Sequence, residues 1–242
     1  MPSSPAAETL PRRSVGLITA DPSPTLLALC ANADLGFVVL DAEQTPLTVS
    51  QCADAVQRPR ASGVHVSIRV PDLSPGTLVT FANTGADELV LPHLRHPEEL
   101  EAAFEAVRYA PAGLRSRQVC PASRFGSDYS RLPALSVLFE TVDAVEHCAE
   151  FASLKAFAGG WIGPTDLSAD LARHDWGGSE EIDKAVQTVI DTLQEAGRSV
   201  GIPAASMMQA GEAFSRGADR AAVYWERELG SLLAEFAKAV TA

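Results

Sequence analysis

Carboxylates in this sequence follow short apolar runs. Asp41 and Glu43 come after "GFVVL", Glu140 after "LSVLF", and Asp166 after "GWIGPT". A carboxylate beside a buried strand is costly unless a cation or a donor meets it. Glu140 and Asp166 converging at one place would make a hard oxygen site. Such a site suits Mg2+ or Mn2+, with Co2+ as a third candidate, and leaves positions for water and substrate. Each acid could instead cap a helix. Arg69 ends the run "VHVSIRV". Its fork of donors matches a carboxylate or a developing oxyanion. A structural ion pair with Asp41 or Glu43 is the other use. His93 follows "DELVLP", and Tyr224, Trp225 and Glu226 close "DRAAVYW".

Position decides whether these residues meet. Strand-like runs cover Val15–Ala20, Gly36–Asp41, Val64–Val70, Asp87–Pro92, Leu135–Thr141, the middle of "KAFAGGWIGP", "SVGIPA" and "DRAAVYW". Helical patterns separate them. The clearest are "HPEELEAAFEAVRYA" and Glu180–Ala196. Others cover 49–57, 75–84, 144–153, 207–216 and 228–240, and Ser23 and Pro24 open the first. Strands alternating with helices predict a parallel sheet. Eight units in 242 residues predict an α/β fold, a closed (β/α)8 TIM barrel. An open doubly wound sheet is disfavoured, because no G-x-G-x-x-G follows the first strand. In a barrel, all the residues named above fall at the C-terminal strand ends, where active sites lie.

The composition bounds the partners. A formal net charge of −12 and no basic run argue against nucleic acid or an anionic membrane. No apolar run is long enough to span a bilayer. Residues 1–13 lack an apolar leader and are expected to form a flexible arm before one domain over 14–242. The four cysteines have no metal or redox spacing, so reduced thiols in a cytoplasmic protein are expected. The connection Tyr109–Pro133 is long and carries four arginines, Arg115 and Arg124 among them. It is expected to lie over the active site.

Several stretches in order resemble the HpcH/HpaI aldolase family, the metal-dependent class II pyruvate aldolases. "GPTDLSADL" is similar to that family's G-P-x-D-L-S, "LFET" to its Q-x-E-T and "IRVP" to its V-R-x-P. "LVLPHL", "YAPAGLRS" and "ASRFG" fall between them as expected. The resemblance spans about Val15 to Val240. It implies that Glu140 and Asp166 hold a divalent metal and that Arg69 stabilises an enolate oxygen. It places Gly163, Pro164, Thr165, Tyr224, Trp225, Arg115 and Arg124 near a small 2-oxo acid substrate. Asp41, Glu43 and Asn83 then stand behind the reacting groups. The resemblance also implies a homo-oligomer, often a hexamer.

The departures from that pattern concern proton transfer. Where the family has D-G-E-H-x-P, this chain has Asp41-Ala42-Glu43-Gln44-Thr45-Pro46. Gln44 replaces the histidine, and Asn83 in "FANTGA" replaces an aspartate. An amide keeps hydrogen bonds but cannot cycle a proton near neutral pH. Leu138 replaces the glutamine of Q-x-E. The expected function is therefore a carbon–carbon lyase or synthase that reaches a pyruvate-type enolate by decarboxylation. Two alternatives stay open. One is ordinary aldol cleavage with a substitute base, His93 or Tyr224. The other is a non-catalytic binding or assembly subunit.

Overall fold

The computed structural model describes residues 13–57, 63–174 and 178–241. The expected arm over 1–13 lies, but for Arg13, outside the described residues. Eight strands run β1 (Ser14–Thr19), β2 (Phe37–Asp41), β3 (His65–Arg69), β4 (Glu88–Leu91), β5 (Ala134–Phe139), β6 (Gly159–Ile162), β7 (Ser199–Ala204) and β8 (Arg220–Tyr224). Each pairs in parallel with its chain neighbours, and β8 pairs with β1, closing the ring. Around it lie α1 (Pro24–Asn32), α2 (Val49–Gln57), α3 (Pro75–Ala82), α4 (Pro97–Val107), α5 (Val142–Glu146), α6 (Cys148–Ser153), α7 (Pro164–Arg173), α8 (Ser179–Glu195), α9 (Met207–Ser215) and α10 (Trp225–Thr241). The (β/α)8 barrel is thus as expected. Among the described residues no helix is long and apolar enough to cross a membrane.

Local chemistry explains the elements. Ser23 caps α1, its hydroxyl accepting from the Leu26 N–H, and Pro24 follows at the first helical position. Two helices differ from expectation. The pattern over 144–153 is broken at His147, which closes α5 and opens α6. "GPTDLSAD" is expected only as a strand end, yet it forms α7, with Pro164 at its start and Asp166 in its first turn. Proline fits there because the first-turn N–H has no partner to lose, and an acid there meets the positive end of the helix dipole.

Alternate residues of each strand fill the lumen. At its N-terminal end Arg220 Nη1 donates to both oxygens of Glu88, at 3.0 and 2.9 Å. The hydroxyls of Ser67 and Ser136 also donate to Glu88. All four side chains are buried. Arg220 stacks on Trp161, whose ring meets Phe37 edge-on. Glycine makes this layer possible. A Cβ on Gly16 would lie 2.5 Å from the Phe37 ring, and one on Gly201 would lie 2.7 Å from Trp161. Above sits an apolar layer of Ile18, Val39, Val90 and Leu138.

The long connection after α4 corrects an expectation. It leaves the C-terminus of a helix and enters the start of β5, so it lies at the N-terminal end of the barrel, opposite the mouth. Its anchors show this: Ala134 N–H donates to the Asp87 carbonyl, just before β4, and Arg131 pairs with the Asp87 carboxylate. Asn83 caps the end of α3 at the same face. Arg115 is buried there, with Nη2 donating to Asn83 Oδ1 at 2.6 Å and Nη1 to the Val107 carbonyl at 3.3 Å. Arg124 is exposed, in a left-handed turn with Phe125.

The Glu88–Arg220 pair yields a stability prediction. Burial alone would raise the Glu88 carboxyl, but Arg220, His65 and Ser136 more than offset it and hold it far below the ordinary carboxylate range. A depressed folded-state pKa gives stability that is present above the unfolded value and lost as pH falls. Arg220→Met should cost about 3–5 kcal/mol in denaturant unfolding at pH 7, because it strands a buried charge. Adding Glu88→Gln should recover most of that loss and flatten the acid limb of the stability–pH curve.

Candidate active site

Arg69 ends β3 and points into the mouth. Its Nε and Nη2 donate to the two Asp41 oxygens at 2.9 and 2.6 Å, and Nη1 lies 3.0 Å from Glu43 Oε2. The parallel register that sets Asp41 beside Arg69 imposes this fork-to-fork contact. Burial would lower the Arg69 pKa, but Asp41 and Glu43 more than compensate and hold it up. Asp41 Oδ1 also accepts from the N–H groups of Glu43 and Gln44, so it pins the turn after β2. Gln44 is exposed, and its amide donates to Glu43 Oε1 at 3.1 Å.

His93 joins the second half of the mouth to the first. Its Nε2 lies 2.8 Å from Glu43 Oε1 and its Nδ1 lies 2.9 Å from Glu140 Oε1. Its backbone N–H donates to the same Glu140 oxygen at 2.6 Å. The backbone at His93 is left-handed, φ 61°, a conformation that non-glycine residues hold only when their surroundings fix it. Glu140 is buried, and among the described residues its Oε2 has no hydrogen-bond partner. Burial raises its pKa, and the nearby charges of Glu43 and Asp166 add to the rise, against contacts from His93. Asp166 and Thr165 are exposed at the start of α7, and Pro164 is half-buried. Gly163 is buried, and a Cβ there would crowd the Glu140 Cβ at 3.1 Å.

Below these charges opens a narrow pocket bounded by Ile18, Val39, Val90, Leu138, Trp161 and Pro203, with Arg69 and Tyr224 at its polar rim. Burial raises the Tyr224 phenol, with Asp41 and Asp166 adding to the rise and Arg69 opposing it. Trp225 corrects its expected place: it packs on the core outside the strands and does not line the pocket. Glu226 is structural, accepting from Thr19 Oγ1 and the Ala20 N–H. Asn83, Arg115 and Arg124 are absent from this mouth, since they lie at the other end of the barrel. Sequence reading missed the apolar walls. The inward alternation of "FVVLD" and its partner strands carried that signal.

The arrangement can bind an anion against Arg69 and leaves, among the described residues, one buried, partnerless oxygen on Glu140, a carboxylate that feels the charges of Glu43 and Asp166. Among the described residues no three His, Cys, Asp or Glu side chains converge on one ion position. Any ion here would therefore draw part of its coordination from substrate or water. Residues 15–224 match the HpcH/HpaI aldolase/citrate lyase family profile. The chain belongs to the HpcH/HpaI aldolase/citrate lyase family. This HpcH/HpaI chain is 27% identical over 198 residues to the pyruvate aldolase of Rhizobium etli, covering 79% of this chain and 78% of that one. It is 25% identical over 217 residues to the 2-keto-3-deoxy-L-rhamnonate aldolase of Escherichia coli O1:K1, covering 86% and 81%. A solved HpcH/HpaI aldolase/citrate lyase family protein from Burkholderia cenocepacia J2315 superposes with a TM-score of 0.86 at 21% identity, over 99% of this chain and 97% of that one. The HpcH/HpaI chain is accordingly an enzyme of the aldolase and lyase class.

The crowding of Glu140 can be measured. Its carboxyl should titrate above the ordinary glutamate value in a carbon-13 NMR pH series. Glu43→Gln removes one like charge and should shift that midpoint downward. A midpoint unmoved by the substitution would mean that the two carboxylates do not share a field.

Proposed function

We propose that this enzyme is a divalent-metal-dependent carbon–carbon lyase or synthase that generates a pyruvate-type enolate from a small 2-oxo acid by loss of carbon dioxide. The observation that carries the reading is the retained pairing of Arg69 with a crowded carboxylate site, in a mouth where Gln44 stands at the proton-transfer position. Glu140 and Asp166 would hold the ion, and the partnerless, raised carboxyl of Glu140 fits that role. Mg2+, Mn2+ or Co2+ bound there would supply Lewis acidity to the keto and carboxylate oxygens of the substrate. Arg69, held rigid by Asp41 and Glu43, directs its remaining N–H donors at the oxygen on which charge develops. Losing carbon dioxide leaves the electron pair on that oxygen and removes no proton, so the amide at Gln44 is no obstacle. Tyr224 at the rim would offer its hydroxyl to a substrate held against Arg69.

A second reading rests on His93. Its imidazole stands at the mouth, oriented by Glu140 at Nδ1, and a shift of Nε2 away from Glu43 would free the nitrogen that a substitute base for aldol cleavage of a 4-hydroxy-2-oxo acid needs. The third reading, a non-catalytic subunit, has no observation in its favour. Gln44 and Asn83 lie at opposite ends of one barrel, so they can pair only between two copies. We accordingly propose a homo-oligomer, hexameric by resemblance. In it the face bearing Asn83, Arg115 and the exposed Arg124 approaches a neighbour's mouth.

Two sets of measurements test the reading. Glu140→Gln and Asp166→Asn should each weaken Mg2+ and Mn2+ binding by at least about 10-fold in calorimetry, as loss of a charged ligand does, with Tm preserved. Unchanged affinity in both variants would remove the metal assignment. Second, the wild type should decarboxylate oxaloacetate faster than it cleaves 4-hydroxy-2-oxo acids. Gln44→His should raise cleavage by about 10²-fold or more, the usual scale of a positioned base, and Asn83→Asp should add to it only in the assembled oligomer. Efficient wild-type cleavage that is lost in His93→Gln would establish the second reading instead.

A further inference from the structure

Glu140 and Asp166 stand on separate elements. Glu140 follows β5 directly, whereas Asp166 lies in the first turn of α7. The two carboxylates repel, and the charge of Asp166 helps to raise the Glu140 carboxyl. Unless a cation lies between them, that repulsion pushes the start of α7 away from the end of β5. Thr165 and Asp166 are exposed, so packing offers little resistance at that point.

One turn further along α7, Asp170 supplies a tie. Residues four apart share a helix face. Asp170 is 3% exposed and sits beside the buried Leu167 and Leu171. Its Oδ2 accepts from the Val142 N–H at 2.9 Å, and Arg173 Nη1 donates to its Oδ1 at 3.1 Å. Burial raises the Asp170 carboxyl, but these two donors more than offset it and hold it below the ordinary carboxylate range. Val142 comes two residues after Glu140 and opens α5. That short helix has a local cap already, because Thr141 Oγ1 accepts from the Ala144 N–H at 3.1 Å. The Asp170 bond differs in kind, since it crosses from one barrel unit to the one before it. Glu140 makes the same crossing when it accepts the His93 N–H. Each of these carboxylates therefore holds the turn of the preceding unit.

We propose that Asp170 is a positioning residue that sets the separation of Glu140 and Asp166 by tying α7 to the turn after β5. It acts through Val142 and not on the substrate. Its consequence for an ion rests on the reading of Glu140 and Asp166 as the ion-holding pair, but the separation itself is measurable with no ion bound.

Crystal structures, hydrogen exchange and calorimetry on the full chain test this role. In Asp170→Ala the two carboxylates should move apart by about 1 Å, the scale of looseness that disables a preorganised site. The Val142 amide should lose its protection from exchange. Affinity for Mn2+ should fall about 10-fold or more, the usual effect of removing a group that orients a ligand. Asp170→Asn keeps an oxygen acceptor for Val142 and should restore all three measurements to near wild type. Arg173→Ala leaves the Val142 bond in place and should change none of them. Val142→Pro removes the donor instead, at a first helical position where proline is tolerated, and should reproduce the alanine result even if Asp170→Ala fails to fold. An unchanged separation in Asp170→Ala and Val142→Pro would overturn the proposal. So would a wider separation with unchanged affinity, or an Asp170→Asn enzyme that behaves like the alanine variant. A wild type that binds no Mn2+ would remove the ion-holding reading, and the separation in the variants would still decide whether the tie exists.

Discussion

Glu88 on β4 and Arg220 on β8 face each other from opposite sides of an eight-stranded ring, so their ion pair spans the lumen. Ser67 and Ser136, from the strands flanking β4, complete the carboxylate's hydrogen bonds. A buried pair of this kind is not a large net source of stability, but leaving either charge alone is expensive. It therefore specifies which residues point inward. Trp161 stacks on Arg220, Phe37 meets Trp161, and two glycines give those rings their space. The apolar layer rests on this floor, and the mouth rests on that layer.

The mouth reverses the electrostatics of the floor. At the floor one cation satisfies one acid. At the mouth Asp41, Glu43, Glu140 and Asp166 gather around Arg69 and His93. Arg69 is held by the first two acids through three of its five N–H donors, and Glu140 is left raised, with one oxygen unpartnered among the described residues. That imbalance is stored at the strand ends, where a cation or substrate can relieve it, and the folded frame is stable enough to hold it.

Much of this was legible in the sequence. Apolar runs alternating with amphipathic ones identified the barrel, and placing polar residues at strand ends brought Arg69, Asp41, Glu43, His93 and Glu140 together correctly. The strand period is two, so the inward face follows once a strand is recognised. The long connection was misplaced for a physical reason: motif order along a chain does not state which end of a barrel a segment occupies. Only the rule that helix-to-strand connections lie opposite the mouth moves Asn83, Arg115 and Arg124 away from it. Helix α7 was hidden because Gly-Pro reads locally as a turn, although proline is well suited to a first helical turn.

Leu138 gives the pocket a property that concerns solubility rather than proton transfer. With Ile18, Val39, Val90, Trp161 and Pro203 it forms a wall nearer in character to a hydrocarbon solvent than to water. A carboxylate pressed against such a wall gives up hydration that the wall cannot return. Carbon dioxide carries no charge and dissolves readily in apolar media. In the decarboxylation we propose, the same wall would be a poor solvent for the carboxylate before its bond breaks and a good one for the product afterwards. A glutamine at this position would solvate the anion and lessen that difference, so in the decarboxylation we propose one leucine would set the medium in which the leaving group is made.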